Sequence, residues 1–205
     1  MSRQKSASKP QSKSKPSSLR VIGGKWRGRK IPFVEVEGLR PTSDRVRETL
    51  FNWLSPSITD AQVLDLFAGS GALSFEALSR GAAAATLVDV SSIACKQLKA
   101  AKQALQADHC HIINSNAETW LKQGLSLPEY DLVFLDPPFA NDGLPDLLVQ
   151  LEQSGCLKES SLIYIETGSA LAQDTLPAMW MPHRHKKAGQ VFYYLFKRAV
   201  NENGD

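Results

Sequence analysis

The sequence predicts a doubly wound α/β fold, a mostly parallel sheet with helices on both faces, closed by a C-terminal antiparallel hairpin and preceded by a small N-terminal β-hairpin and a helix. Three observations predict it. Five strands alternate with four helices between residues 62 and 165. A glycine-rich turn, Gly69-Ser70-Gly71, follows the first of those strands. Residues 132–135, Leu-Val-Phe-Leu, form an unbroken apolar run of the kind found in a strand buried on both faces.

Beyond its Met, the segment 1–18 contains only Ser, Lys, Gln, Pro, Arg and one Ala. It has too little apolar surface to offset the entropy of ordering, so residues 1–18 are expected to be a disordered basic tail. Residues 19–58 read as an extension. Its first part, LRVIGGKWRGRKIPFVEV, mixes β-branched residues, glycine punctuation and interleaved Lys, Trp and Arg, which predicts a basic hairpin. Lys25, Arg27 and Arg29 are expected to meet phosphates, while Trp26 is equally suited to stacking on a base or covering the domain edge. Pro41-Thr42-Ser43-Asp44 then opens a helix over 45–54, whose apolar stripe is Val46, Leu50, Phe51, Trp53 and Leu54. Arg45, Arg47 and Glu48 are left elsewhere on its surface.

Residues 59–200 read as the main domain and 201–205 as a second tail. Strands are expected at 63–67, 84–88, Cys110–Asn114, 132–135 and 162–165, and helices at 72–80, 91–105, 118–123 and Leu144–Gln153. Gly81 closes the first of these helices, and Ile93, Ala94, Leu98, Ala101 and Leu105 form the apolar face of the second. Residues 180–187 and 191–197, joined through Ala188-Gly189, make the closing hairpin.

A chain of 205 residues with 42% apolar content can bury one substantial core. No apolar run is long enough to span a membrane, and Arg3 and Lys5 are not followed by the apolar block of a secretion signal. A cytoplasmic protein without membrane attachment is expected. Cys95, Cys110 and Cys156 lack metal-ligand spacing and suit a reducing compartment as small buried side chains. Net charge is +3, yet residues 1–30 hold ten Lys or Arg and no acid, leaving fourteen basic and twenty-one acidic residues in the remainder. Such polarity fits a polyanionic partner, since each neutralised phosphate releases counterions.

Asp65-Leu66-Phe67-Ala68-Gly69-Ser70-Gly71 lies where the first strand of the main domain turns into its helix. Glycines there let a ligand approach the backbone, and Asp89 ends the next strand 18 residues after Gly71, where an acid reaches ribose hydroxyls. These two features alone also describe a dinucleotide dehydrogenase, but the third glycine of that fingerprint falls at Ser74, and no Gly-Lys-Ser/Thr phosphate loop is present. Asp65, Asp89 and Asp136 each end a strand and are expected to converge on one crevice. That charge disfavours a pyrophosphate and favours a sulfonium cation.

Asp136-Pro137-Pro138-Phe139 follows the apolar strand directly. Two prolines stiffen the backbone and carry no amide hydrogen, so the Pro137 carbonyl can serve as a rigid acceptor. An exocyclic amine of a base is a poor nucleophile. The Asp136 carboxylate and the Pro137 carbonyl together can orient its hydrogens so that its lone pair faces a methyl donor, with Phe139 stacking on the ring. A base inside a duplex cannot reach that geometry, so an unpaired or flipped base is expected. Asn116-Ala117 follows the third strand, where it can read an adenine edge or cap a helix. His109 with His111 and His183 with His185 are H-x-H pairs without an evident third ligand, and no metal is expected.

The chain resembles the class I methyltransferases, and within them the small-subunit ribosomal RNA guanine-N2 methyltransferases of the RsmD type. The resemblance rests on RVIGGKWRGRKI, LRPTSDRVRETLFNWL, VLDLFAGSGALSFEALSRGA, NSNAETWL, FLDPPF, LIYIE and KAGQVFYYLF, in that order. It implies a Rossmann-like class I methyltransferase sheet, methylation of guanine 966 of 16S rRNA in an assembled or nearly assembled small subunit, S-adenosylmethionine as donor, and a monomer without metal. It also implies that the donor lies on Asp65, Phe67, Ala68, Gly69, Ser70, Gly71, Asp89, Asn116 and Ala117, and the target base on Asp136, Pro137, Pro138 and Phe139. Arg40, Thr42 and Arg45 join Lys25, Arg27 and Arg29 as expected RNA contacts. Asp89 stands where the family often has Glu, which keeps the carboxylate and shortens its reach. The competing readings are an adenine-N6 DNA methyltransferase, since the same four-residue motif can hold that amine, and a non-catalytic RNA-binding assembly factor.

Overall fold

The computed structural model describes residues 16–34, 43–138 and 143–200 of the chain. The extension begins with an antiparallel pair, β1 (Pro16–Arg20) and β2 (Lys30–Val34), connected through a short 3-10 turn at Gly24–Trp26. Helix α1 (Asp44–Leu54) follows, its free amides capped by the Ser43 hydroxyl, which accepts from the Val46 N–H. The main domain then runs β3 (Gln62–Asp65), α2 (Ala72–Ser79), β4 (Ala84–Asp89), α3 (Ser92–Leu105), β5 (Cys110–Asn114), α4 (Ala117–Leu121), β6 (Tyr130–Leu135), α5 (Leu144–Gln153), β7 (Leu157–Thr167), β8 (Trp180–Ala188) and β9 (Val191–Arg198).

These strands make one sheet in the order β5-β4-β3-β6-β7-β9-β8. Pairs from β5 through β7 are parallel, whereas β7 with β9 and β9 with β8 are antiparallel. The chain therefore moves outward from β3 to β5 and returns on the other side of β3 at β6. In a sheet of this kind ligands bind at the carboxyl ends of the strands where the order reverses, here between β3 and β6.

Strand alternation explains why both faces are covered. Val63, Leu132 and Phe134 pack into one cluster with Leu50, Phe51 and Phe75 of α1 and α2. Leu64, Val133 and Leu135 point the other way, to Trp120, Leu148 and Leu151 of α4 and α5. Each such side chain removed from water contributes about 1.5–3 kcal/mol, which is why both helix layers are required.

Several elements depart from their expected form. The first strand begins at Pro16, inside the segment expected to be tail, while residues 1–15 and 201–205 lie outside the described residues. Strand β7 starts at Leu157 rather than 162. Its polar opening, Lys158-Glu159-Ser160-Ser161, hides the period, and the Ser161 hydroxyl donates to the Tyr130 carbonyl across a register irregularity. Ile93 is 57% exposed rather than part of the apolar face of α3. Arg47 is 1% exposed rather than on the surface of α1.

Arg47 is buried because it belongs to a polar hub centred on Glu76 of α2. Glu76 is fully buried, and its carboxylate accepts from the Ile22 N–H at 2.7 Å, the Gly23 N–H at 2.8 Å and Arg80 Nε at 2.7 Å. Arg47 Nη1 approaches it at 3.9 Å, and Arg47 Nη2 donates to the Arg20 carbonyl and to Asp44. The hairpin, α1 and α2 thus share one ion network. Glu76→Ala should lower unfolding free energy by about 3–5 kcal/mol, because it leaves Arg80 Nε and two amides without their acceptor and takes a counter-charge from the buried Arg47. Urea denaturation checks this, and a loss below about 1 kcal/mol would show that the hub is dispensable.

Candidate active site

The turn between β3 and α2 is tied to both neighbouring strands. The Leu66 N–H donates to the Phe134 carbonyl on the β6 side, and the Ala68 N–H donates to the Val88 carbonyl on the β4 side. Gly71 N–H closes the turn onto the Ala68 carbonyl at 2.7 Å. Gly71 sits at φ 77°, in the left-handed region, and a Cβ there would come within 2.5 Å of the Phe75 ring. Both dihedral and space call for glycine at that position.

The three strand-end acids take different positions. Asp89 is partly exposed, and its carboxylate accepts from the Gly69 N–H and the Ser91 N–H, each at 2.7 Å. It stands at the crevice and helps to shape the glycine turn. Asp65 does not line the crevice as expected: it is 2% exposed beneath the turn, where it accepts from the Ser74 hydroxyl at 2.7 Å. Burial pushes its pKa up to about 7, against the lowering hydrogen bonds from Ser74 and the Phe67 backbone. Ser74, where a dinucleotide fingerprint would place its third glycine, is therefore a buried partner of that acid.

Asp136 is partly exposed just past β6, with Pro137 buried and Pro138 exposed. In the neighbouring strand Glu166 is 4% exposed and accepts from the Tyr164 hydroxyl at 2.9 Å. Burial, reinforced by the negative charges of Glu166 and Asp136, raises the Tyr164 phenol well above its usual range and keeps it a donor. A cavity of about 270 Å³ adjoins these residues, lined in part by Pro137, Pro138, Leu144, Glu166 and Thr167. A larger cavity of about 670 Å³ lies at the opposite end of the strands, beside Asp131, Lys158 and Lys197, away from the crevice.

Phe67, Ser70 and Ala68 belong to the same turn, Phe67 and Ser70 partly exposed and Ala68 buried. Asn116 caps α4, its side-chain oxygen accepting from the Thr119 N–H at 3.2 Å, with Ala117 buried behind it. The structure thus assigns Asn116 the helix cap. Val90 and Ile93, just after Asp89, are 72% and 57% exposed, which the sequence patterns do not single out. Two large apolar residues just after a strand-end acid were the available signal, obscured because Ile93 also fits a helical stripe.

On the hairpin, Lys25, Arg27 and Arg29 are exposed, and Arg45 is exposed at the start of α1. Arg29 is engaged, donating to the Ala104 carbonyl near the end of α3. Trp26 is 7% exposed, with its backbone N–H on the Ser79 hydroxyl, so it covers the domain edge. Arg40, Thr42 and Phe139 lie outside the described residues. All three cysteines are buried, and burial pushes the Cys110 thiol to about 12. Among the described residues no three His, Cys, Asp or Glu side chains assemble to hold a metal ion, and no helix is long and apolar enough to cross a membrane.

The donor set at the crevice fits a cationic methyl donor bearing a nucleoside. Asp89 offers a carboxylate to hydroxyls, Val90 and Ile93 offer an apolar surface beside it, and Asp136 supplies negative charge across the glycine turn. Comparison with known proteins agrees. The family model described as conserved hypothetical protein 95 matches residues 19–197. The chain is 48% identical to ribosomal RNA small subunit methyltransferase D of Escherichia coli over 91% of its length and 93% of the relative's. It is 43% identical to the protein of that name in Haemophilus influenzae over 87% and 93%. The solved structure of the Escherichia coli protein yhhF superposes with a TM-score of 0.82 at 48% identity, covering 90% of this chain and all of that one.

The burial of Asp65 has a consequence for stability against pH. An unfolded Asp ionises near 3.8 and the folded one near 7, so between those values the folded state holds the extra proton and stability falls as pH rises. Asp65→Asn keeps the shape and removes the titration. Thermal unfolding of the two proteins from pH 4 to pH 8 should show wild type losing stability relative to the variant up to about pH 7 and then running parallel; a constant difference would show Asp65 to be ionised throughout.

Proposed function

Because the chain belongs to the conserved hypothetical protein 95 family, we propose that it transfers a methyl group from S-adenosylmethionine to the exocyclic N2 amine of a guanine in 16S rRNA, guanine 966. The chain is an S-adenosylmethionine-dependent methyltransferase whose curated relatives are named for the small-subunit ribosomal RNA. The observation that carries the finer reading is a partly exposed carboxylate, Asp136, followed by two prolines beside the glycine turn at the point where strand order reverses. When bound, S-adenosylmethionine supplies an electrophilic methyl group on a sulfonium.

This chain's residues do the rest. Asp136 and the Pro137 carbonyl accept the two hydrogens of the guanine amine and turn its lone pair toward the donor. The neighbouring cavity, with Pro137 and Pro138 as a rigid wall, receives the unpaired base, and Phe139 stacks on it. Asp89 holds ribose hydroxyls while Val90 and Ile93 face the adenine. Lys25 and Arg27, exposed on the hairpin, contact phosphates, as does Arg45, exposed at the start of α1, and Arg40 and Thr42 are further RNA contacts by family resemblance. The substrate is the assembled or nearly assembled small subunit, and the enzyme acts as a cytoplasmic monomer.

Asp136→Ala should lower turnover on small subunits by roughly 10²–10⁴-fold while RNA affinity stays within a few-fold. Transfer of a labelled methyl group measures it, and near-normal turnover would remove Asp136 from the chemistry. Replacing Lys25 and Arg27 together by Ala should instead raise KM and flatten its salt dependence with kcat retained. Mass spectrometry of 16S rRNA from cells lacking the protein, with and without its restoration, tests the nucleotide.

A further inference from the structure

Residues 180–198, which make up β8, β9 and their turn, contain five Lys or Arg, two His and no acid. Residues 31–179, between the two basic ends of the chain, contain nine Lys or Arg and nineteen acids. An acid-free basic segment therefore stands against an acidic body, and methyl transfer as described above makes no use of it. Strand β8 is one of the two edge strands of the sheet, and every side chain from Met181 to Lys187 is exposed.

Register places this strand relative to the chemistry. Lys186 pairs with Tyr193, which pairs with Glu166. Leu135 pairs with Ile165, so Asp136 comes level with Glu166. Asp136, Glu166, Tyr193 and Lys186 thus occupy one row across the sheet, and three strand spacings separate its ends, about 14 Å. Lys187 is one residue nearer the crevice end, in a row with Phe192 and with Thr167 of the cavity wall. Both ammonium groups are supported by rings: Lys186 Nζ lies 6.0 Å from the Trp53 ring centre and Lys187 Nζ 4.4 Å from that of Phe192. A lysine already held over a ring has less freedom to lose when it meets a phosphate.

We infer that the β8 edge, centred on Lys186 and Lys187, is a second phosphate-binding surface for the RNA strand that carries the target base. It lies at the sheet edge away from the N-terminal hairpin, which packs on α2 and α3. The inference rests on the rRNA-methyltransferase reading, which supplies a strand with one phosphate at every nucleotide beside the base. Two cationic flanks with an acidic crevice between them steer such a strand across the crevice while leaving the crevice itself to a cationic donor. The plainer role of lysine on an outer strand is to discourage pairing with a second sheet. That role requires no alignment with the catalytic row and no RNA affinity.

The two roles separate in one experiment on the full chain. Lys186→Gln combined with Lys187→Gln is compared with wild type and with Lys186→Arg combined with Lys187→Arg, using small subunits at several salt concentrations. On our reading the Gln pair raises KM roughly tenfold at moderate salt and reduces the log–log salt slope by about 1.4, near 0.7 for each lost contact with a single strand. Its kcat stays within about twofold, its melting temperature is unchanged, and the Arg pair behaves as wild type. Unchanged KM and slope in the Gln pair overturn the inference, and self-association of that pair would then identify the lysines as edge guards. If wild type itself transfers no methyl group to small subunits, the substrate reading falls first and this surface falls with it.

Discussion

The buried carboxylate of Glu76 is the contact on which the arrangement of this molecule depends. A fully buried charge is costly unless it is paired and hydrogen-bonded, and here two backbone amides and Arg80 surround it, with Arg47 close by. Glu76 sits on α2, whose first residue follows the glycine turn. Its partners Ile22 and Gly23 belong to the hairpin, and Arg47 belongs to α1. One side chain thereby ties the N-terminal extension to the helix that begins at the glycine turn.

Acid placement shows how one residue type serves different ends at neighbouring strand ends. Asp65, driven toward neutrality by burial, braces the turn from below with Ser74. Asp89 remains partly in solvent and spends its oxygens on two loop amides, which aims the turn and leaves its edge at the crevice. Asp136 stays partly exposed just before the Pro137 of the cavity wall, with Glu166 and the Tyr164 hydroxyl buried in the next strand. Solvent access, rather than charge alone, divides structural acids from those available to a ligand.

The long-range field follows a similar division. Cations gather in the first thirty residues and in the last hairpin, while acids gather in the body between them. The body can therefore favour a sulfonium at the crevice while the flanks favour a polyanion, two demands that a uniformly charged surface could not meet together.

Much of the fold was legible in the sequence because its signals are local. Apolar runs at 63–67 and 132–135, the helical period over 91–105 and the glycines at 69 and 71 follow from backbone dihedrals and side-chain alternation, and the structure contains the elements they predict. The position of Asp136-Pro137-Pro138 was legible for the same reason, as a proline-stiffened segment directly past a strand end. Burial was legible for the cysteines and most of the apolar stripe of α1 but not for several other side chains. Trp26 covers the core, Arg29 binds a helix end, Arg47 and Asp65 lie inside, and Ile93 lies outside. Each of these depends on residues far along the chain, as the bond from the Ile22 amide to Glu76 spans 54 positions. The sequence by itself determined which backbone segments could form and in what order they alternate. Only tertiary packing decided which charges lost their water, since desolvation depends on every neighbour that closes over a group and no local pattern encodes them.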